Sequence, residues 1–474
     1  KTYTATTAAV ALQEAGKAKR ALFVVPSARK VGTVRDINSL YPDKKVVLID
    51  GTPSQRAKQY EDARDADFVV AGYALIQREP EKLKGEGFDI VVNDECVRLK
   101  GKSSQVALNA KEHFSAPYIW DLSATPIPNS PEDLYNLMAR LQPALLGTRT
   151  NFMNEHCTVE WQTIPGGRKV PKITGYKDKK KTREVVAPYI MSRTWESPDV
   201  NVPMTQKSKV VQTLDMAPDQ RKLYELAREG ALQVVAGSAT AGQLSADEKS
   251  SVLTSLLRME QLGITPEILD PDYKGKAPKI DEAVQIVHDH FYNGENHGIA
   301  LYCHFLPVLD ILHRELLEKG TPDNEIAVIR GGMKATDVQS IVDGMNSGKY
   351  KVLLASDAAA EGLNLQGNAN KLLHLDIPWR PDVLEQREGR IYRPGQTSDV
   401  VLIRLAMDND VETHKAEVVA RKAQAQRAIV EGVESDESPE LTYDDYLKLL
   451  GTTRDEITRL RKKTVKKASE GGEA

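Results

Sequence analysis

Cysteine is scarce in this chain of 474 residues: Cys96, Cys157 and Cys303 are the only three, with neither close pairing nor regular spacing. A disulfide framework is therefore not expected, and reduced surroundings are. Two of them adjoin histidine, at His156-Cys157 and Cys303-His304. Adjacent residues lack the gap that usually lets two side chains reach one zinc ion, and the apolar run before Cys303 reads as a strand end instead. Long hydrophobic runs are missing too. The apolar stretches are strand-sized and the chain opens Lys1-Thr2-Tyr3-Thr4, so neither a membrane span nor a secretory signal is expected. The default location is inside a cell, the cytoplasm of a bacterium or of an infected host. Net charge is only −3, which argues against a histone-like positive coat and confines any nucleic-acid site to a local patch. There is no repeat of solenoid period, no nuclease constellation and no long appended reader domain.

What is present is ample for two large cores at roughly 150 residues per domain, with the 41% hydrophobic and 28% charged content of an ordinary globular protein. Continuous apolar, β-branched runs occur at Ala21–Val25, Val46–Ile49, Phe68–Ala71, Asp89–Asn93 and Tyr118–Leu122, separated by segments of helix length. Such alternation predicts a parallel sheet with helical crossovers, its strands buried on both faces. A second series follows at Ile299–Cys303, Ile326–Ile329, Lys351–Ala355, Leu372–Leu375 and Val400–Leu405. The fold class is thus α/β, with two parallel-sheet lobes. The expected division is a first lobe over 1–200 with an irregular insertion at about 147–181, a helical bridging segment over 201–275, a second lobe over 276–428, and an acidic linker with a basic helical tail over 429–474. Capping boxes at Ser245-x-x-Glu248 and Thr453-x-x-Glu456 mark two helix starts.

Four stretches carry chemistry. Asp89-Ile-Val-Val-Asn-Asp-Glu95 is an apolar strand ending in two carboxylates, at the sheet edge where open α/β folds bind ligands. There Asp94 would hold magnesium and Glu95 would orient or deprotonate an attacking water. Lys1-Thr2 reads as the last part of a phosphate-binding loop without its glycines, Lys1 reaching the β and γ phosphates and the Thr2 hydroxyl the magnesium. On this reading the chain is truncated within that loop. Ser123-Ala-Thr125-Pro126 is a turn. In Gln386–Gln396, Arg387, Arg390 and Arg393 recur at helical spacing, so one helix face would present guanidinium groups suited to phosphate oxygens. Taken alone each stretch has a plain structural explanation. In this order they fit one nucleotide-driven machine.

Together with Leu22–Ser27 and Ser356–Gln366, these stretches resemble the motor of superfamily-two helicases, and more narrowly the Swi/Snf-type ATPases, whose pattern is also echoed by Met191-Ser-Arg-Thr194, Gln220 near Tyr224, and Asp376-Ile-Pro-Trp-Arg-Pro381. The resemblance spans about Lys1 to Asp410. It implies two RecA-like lobes, with Lys1, Thr2, Asp94 and Glu95 facing ATP and magnesium, Glu361 and Gly362 also near the nucleotide, and Arg390 and Arg393 reaching the γ-phosphate from the second lobe. It further implies coupling through Ser123, Thr125 and Gln386, and nucleic-acid contact through Pro26, Ser27, Tyr73, Ser356 and Asn364. Arg387 is expected at the surface, Trp379 in packing, and Cys96 as a small buried residue. Val97 stands where many relatives have histidine, which removes a polar link to the coupling segment.

The function so implied is an ATP-driven translocase on DNA, most simply duplex DNA, in a viral or bacterial setting, with replication, repair or transcription proteins as possible partners and no membrane. Alternatives are an RNA helicase or polymerase-remodelling ATPase, and a non-hydrolysing DNA-binding scaffold.

Overall fold

The computed structural model describes residues 1–85, 87–101, 104–113, 115–124, 130–163, 167–193, 197–238, 242, 244–357, 363–432 and 441–470. Five strands, β1 (Ala21–Val25), β2 (Val46–Ile49), β3 (Phe68–Gly72), β4 (Ile90–Asp94) and β5 (Tyr118–Leu122), form an all-parallel sheet in the order β2-β3-β1-β4-β5. Every residue of β1, β3 and β4 is buried, because helices cover both faces and a central strand then has no polar side. Phe23 and Phe68 meet edge to face at 6.0 Å within this core.

Within 147–181, expected to be irregular, the described residues form regular elements. They comprise the helix Arg149–His156, an antiparallel hairpin of β6 (Cys157–Thr163) and β7 (Lys169–Tyr176), and the start of the helix Lys179–Val186. The Gly, Pro and Lys content that suggested irregularity belongs to the connection and the exposed face of a two-stranded element, which needs little apolar alternation. Leu134, Phe152, Cys157, Ile173, Val186 and Ile429 form the cluster on which the hairpin base rests.

The second sheet has six parallel strands: β8 (Lys207–Leu214), β9 (Gly298–Tyr302), β10 (Ile326–Ile329), β11 (Val352–Ala355), β12 (Ala369–His374) and β13 (Val400–Met407), in the order β10-β11-β9-β12-β13-β8. Strand β8 lies within the segment expected to bridge the lobes by helices alone. It pairs along its whole length with β13, and as an exposed edge strand it carries Lys207 and Lys209, charges that discourage further strand addition. The helices Pro218–Gly237 and Ala246–Ile264 follow, the latter opened by the Ser245–Glu248 capping box. They pack with residues of Tyr443–Leu449 and Arg454–Glu470 in a helical cluster at the side of the second sheet. Trp379 packs there, its indole N–H donating to Glu260 (2.9 Å) and Lys415 lying 4.8 Å from the ring. Among the described residues no helix is long and apolar enough to cross a membrane.

Candidate nucleotide site between the lobes

Parallel pairing places the ends of β3, β1, β4 and β5 side by side, so Tyr73, Pro26-Ser27, Asp94-Glu95 and Ser123 share one sheet edge. Asp94 is 6% exposed, and its Oδ1 is buried without a hydrogen-bond partner. Burial pushes its carboxyl pKa up, opposed by Lys1 and reinforced by Glu95. Glu95 is the one non-glycine described residue with positive φ, at 53°. Left-handed backbone at an ordinary residue is strained, and such strain clusters where side-chain aim matters. One carboxylate oxygen of Glu95 accepts from Lys1 Nζ at 2.6 Å, while Oε2 is buried and unpartnered.

Lys1 and Thr2 begin the helix Thr2–Glu14. Arg29 donates to Thr2 Oγ1 (3.4 Å) and pairs with Asp36 (2.9 Å). Arg29 was not foreseen as a site residue, although Asp36, two helical turns further on, was a local signal. Beside it runs a crevice lined by Ala28, Arg29 and Gly32 from the first lobe and Val338, Gln339, Val342, Leu363 and Asn364 from the second. Arg35 and Asp343 pair across the lobes at 3.2 Å.

The second lobe corrects the expected guanidinium face. The helix is Pro381–Glu388 and stops there; Arg390 and Arg393 lie on the turns after Gly389, so the three arginines do not share a helix face. Gln386 is half-buried within the helix. Arg387, expected at the surface, is fully buried. Its guanidinium donates to Asp357 (2.6 Å) and to both the side chain (3.2 Å) and carbonyl (3.0 Å) of Asp376. Burial alone would lower its pKa, but these two carboxylates raise it. Arg390 is half-buried and, with Arg387, lies beside Tyr302, whose phenol is pushed up to about 12 by burial against the pull of both. Arg393 bonds Asn364. Its pKa falls to about 10 through burial and through Arg390 and Arg29, and Asp36 and Tyr3 of the first lobe also act on it. Arg393 thus holds Asn364, which lines the same crevice as Arg29 of the first lobe.

Several expected nucleic-acid contacts are turned inward. Tyr73 is 7% exposed and donates its hydroxyl to the carbonyl of Asp94 (2.7 Å); it braces the acid strand instead of meeting solvent. Ser356 is 2% exposed and Pro26 is buried. Asn364 is engaged by Arg393, which leaves Ser27 as the exposed member. Ser123 is half-buried. Thr125, Glu361 and Gly362 lie outside the described residues. Cys96 is buried, as expected, its thiol pushed up to about 12 by burial and hence inert.

Asp94 Oδ1 and Glu95 Oε2, buried and without partners, fit a site completed by a ligand. Among the described residues no group of three His, Cys, Asp or Glu side chains is placed to hold a metal ion. Two carboxylates with such unpartnered oxygens fit magnesium, which binds through one or two carboxylates plus substrate phosphates.

Over 448 residues the chain is 24% identical to an uncharacterized ATP-dependent helicase of Mycoplasma pneumoniae, covering 90% of this chain and 39% of that protein. It is 24% identical to the ISWI chromatin-remodeling complex ATPase ISW1 of Saccharomyces cerevisiae (86% of this chain, 36% of that one), and 25% identical to the uncharacterized ATP-dependent helicase YqhH of Bacillus subtilis (86% and 70%). The chain thus spans roughly two fifths of the Mycoplasma and yeast relatives. Among solved structures, the Sulfolobus solfataricus SWI2/SNF2 ATPase core in complex with dsDNA aligns over 96% of this chain and 89% of its own, at 21% identity and a TM-score of 0.41. Residues 279–395 match the helicase conserved C-terminal domain and residues 5–268, more than half of the chain, match the SNF2-related domain; the chain belongs to the SNF2-related family of helicase-like ATPases.

Proposed function

We propose that this protein hydrolyses ATP and uses the opening and closing of its two lobes to move along duplex DNA inside the cell. The observation that carries the reading is the meeting of the two edges: Glu95, paired with Lys1, sits on the same end of the first lobe as Thr2 and Arg29, and Arg29 lines one crevice with Asn364, which Arg393 of the second lobe bonds.

In this scheme Lys1 exchanges Glu95 for the β and γ phosphates when nucleotide enters, which frees the Glu95 carboxylate to accept a proton from the attacking water. Asp94 and Thr2 would hold magnesium, which when bound neutralises developing charge on the phosphates. Arg390 and Arg393 stabilise that charge from the other lobe, so hydrolysis is fast only when the cleft is closed. Ser123, Thr125 and Gln386 relay closure, with Glu361 and Gly362 near the nucleotide. The nucleic-acid surface starts from Ser27 and contacts backbone without reading bases. The yeast relative's name ties it to chromatin, which favours duplex DNA as the track. The test is phosphate release with and without duplex DNA and with RNA. Stimulation by duplex is expected, and equal rates under all three conditions would remove DNA as the activating partner.

A further inference from the structure

The hairpin β6–β7 takes no part in the cycle just described, yet it carries a dense local charge. The hairpin Cys157–Tyr176 holds Arg168, Lys169 and Lys172 against the single acid Glu160, and Lys177 and Lys179–Lys181 follow it with Asp178, in a chain of net charge −3. An isolated two-stranded hairpin is marginal in water. This one is held at its base, where Cys157 and Ile173 are buried against Phe152, Val186 and Ile429. Beyond that base Trp161 is 67% exposed.

Register decides what surrounds the Trp161 ring. Trp161 lies opposite Pro171 and Thr163 opposite Lys169, so Trp161 and Lys169 share one face at diagonal positions, within reach of long side chains. On the reverse face Glu160 lies opposite Lys172. The hairpin's one acid is thereby matched to a lysine away from Trp161, leaving Lys169 on the tryptophan face, with Arg168 next to it just before the strand, both exposed.

We propose that this hairpin is a second contact with duplex DNA outside the nucleotide cleft, Arg168 and Lys169 holding phosphates while Trp161 packs against the adjoining sugar surface. The inference rests on duplex DNA being the track. Charge complementarity selects a polyanion, and one tryptophan beside several cations suits a continuous backbone, whereas single strands are held on a series of stacking aromatics. Because the base cluster combines Leu134 of the helix after the coupling turn with Ile429 beyond the second sheet, the hairpin rides on the junction of the two lobes.

The test is fluorescence anisotropy of the full chain with a fluorescein-labelled mixed-sequence duplex, over a salt series. In Arg168→Gln/Lys169→Gln the slope of log affinity against log salt should fall by about 0.9 for each lost phosphate contact. Trp161→Ala should weaken binding at every salt concentration with little change in slope. Lys169→Arg should restore the slope of a Lys169→Gln chain. Matching far-UV circular dichroism guards against misfolding. Because Cys96, Cys157 and Cys303 are buried, a photo-crosslinker placed on Lys169→Cys gives an independent readout, and crosslinking to the duplex is expected. Wild-type affinity and slope in every variant, with no crosslink, would overturn the hairpin's role while leaving the track intact. A wild-type chain that ignores duplex would overturn both. Tighter binding of the matching single strand, lost in the same variants, would overturn the duplex assignment.

Discussion

At the carboxyl edge of the first sheet Asp94 and Glu95 each keep a buried oxygen without a partner, whereas at the same edge of the second sheet Arg387, Asp357 and Asp376 bond one another. A buried polar group left unmet costs about 1–3 kcal/mol. The first lobe carries that cost on two acids, together with left-handed backbone at Glu95, where a ligand can relieve it; the second carries it on Tyr302, Ser356 and His374 and uses its buried charge to hold a frame. Arg390 and Arg393 are then presented from the frame by the turns that follow it. The acid edge is built to be completed, and the guanidinium edge to stay in place.

The sharpest break of this contrast is kinetic. Arg393→Ala should reduce turnover roughly 10³- to 10⁵-fold, the range for an arginine acting on a transferring phosphoryl group. Glu95→Gln should reduce it roughly 10²- to 10⁴-fold while nucleotide binding persists. Single-turnover phosphate release and equilibrium binding of a labelled nucleotide separate the two steps. Turnover that survives Glu95→Gln would mean that the acid has been misassigned.

Stability should show the opposite order. Arg387→Met leaves the buried Asp376 without its cation and the half-buried Asp357 with His304 alone, so denaturant unfolding should show a loss of about 3–5 kcal/mol. Arg387→Lys should recover little, since a point charge cannot reproduce a fork that reaches three acceptors. At the acid edge the sign reverses: Glu95→Gly relieves the backbone and should raise stability by about 1 kcal/mol or more while abolishing turnover. A first lobe that loses stability on Glu95→Gly would end the comparison.

How much of this could be read in the chain follows burial. Ala21–Val25, Val46–Ile49, Tyr118–Leu122 and Ile326–Ile329 were readable to the residue. Strands covered on both faces or nearly so are written as unbroken apolar runs, and β8, at an exposed edge, is not. The hairpin was missed for a related reason: Thr158-Val-Glu-Trp-Gln-Thr163 alternates, but turn-like Gly and Pro beside it dominated its composition. Asp94 and Glu95 were legible because strand and acids are contiguous. Arg387 was misread because its partners lie 30 and 11 residues away, and helical spacing carries no information about them. Tyr73 and Ser356, expected to meet nucleic acid, are buried, because a motif position does not reveal which way the side chain turns.

The smallest expected effect tests whether the frame reaches the surface. His304, at the exposed end of β9, bonds Asp357 through Nδ1 at 3.2 Å. That bond raises the imidazole pKa above its ordinary 6.5 against the opposing pull of burial. Burial alone would raise Asp357, yet His304 and Arg387 hold it at about 2. The two shifts give opposite pH dependences. Stability from His304 is full below pH 6.5 and is lost as pH rises through its elevated folded value. Stability from Asp357 is full above its ordinary 3.8 and is lost as pH falls toward 2. Denaturant midpoints measured across pH should therefore decline at both ends. His304→Gln should flatten the upper decline and reduce the lower one slightly, because Arg387 still holds Asp357. If His304→Gln instead erased the acid limb as completely as Asp357→Asn, the histidine and not the buried arginine would be fixing the carboxylate, and the second edge would be as dependent on an exposed partner as the first.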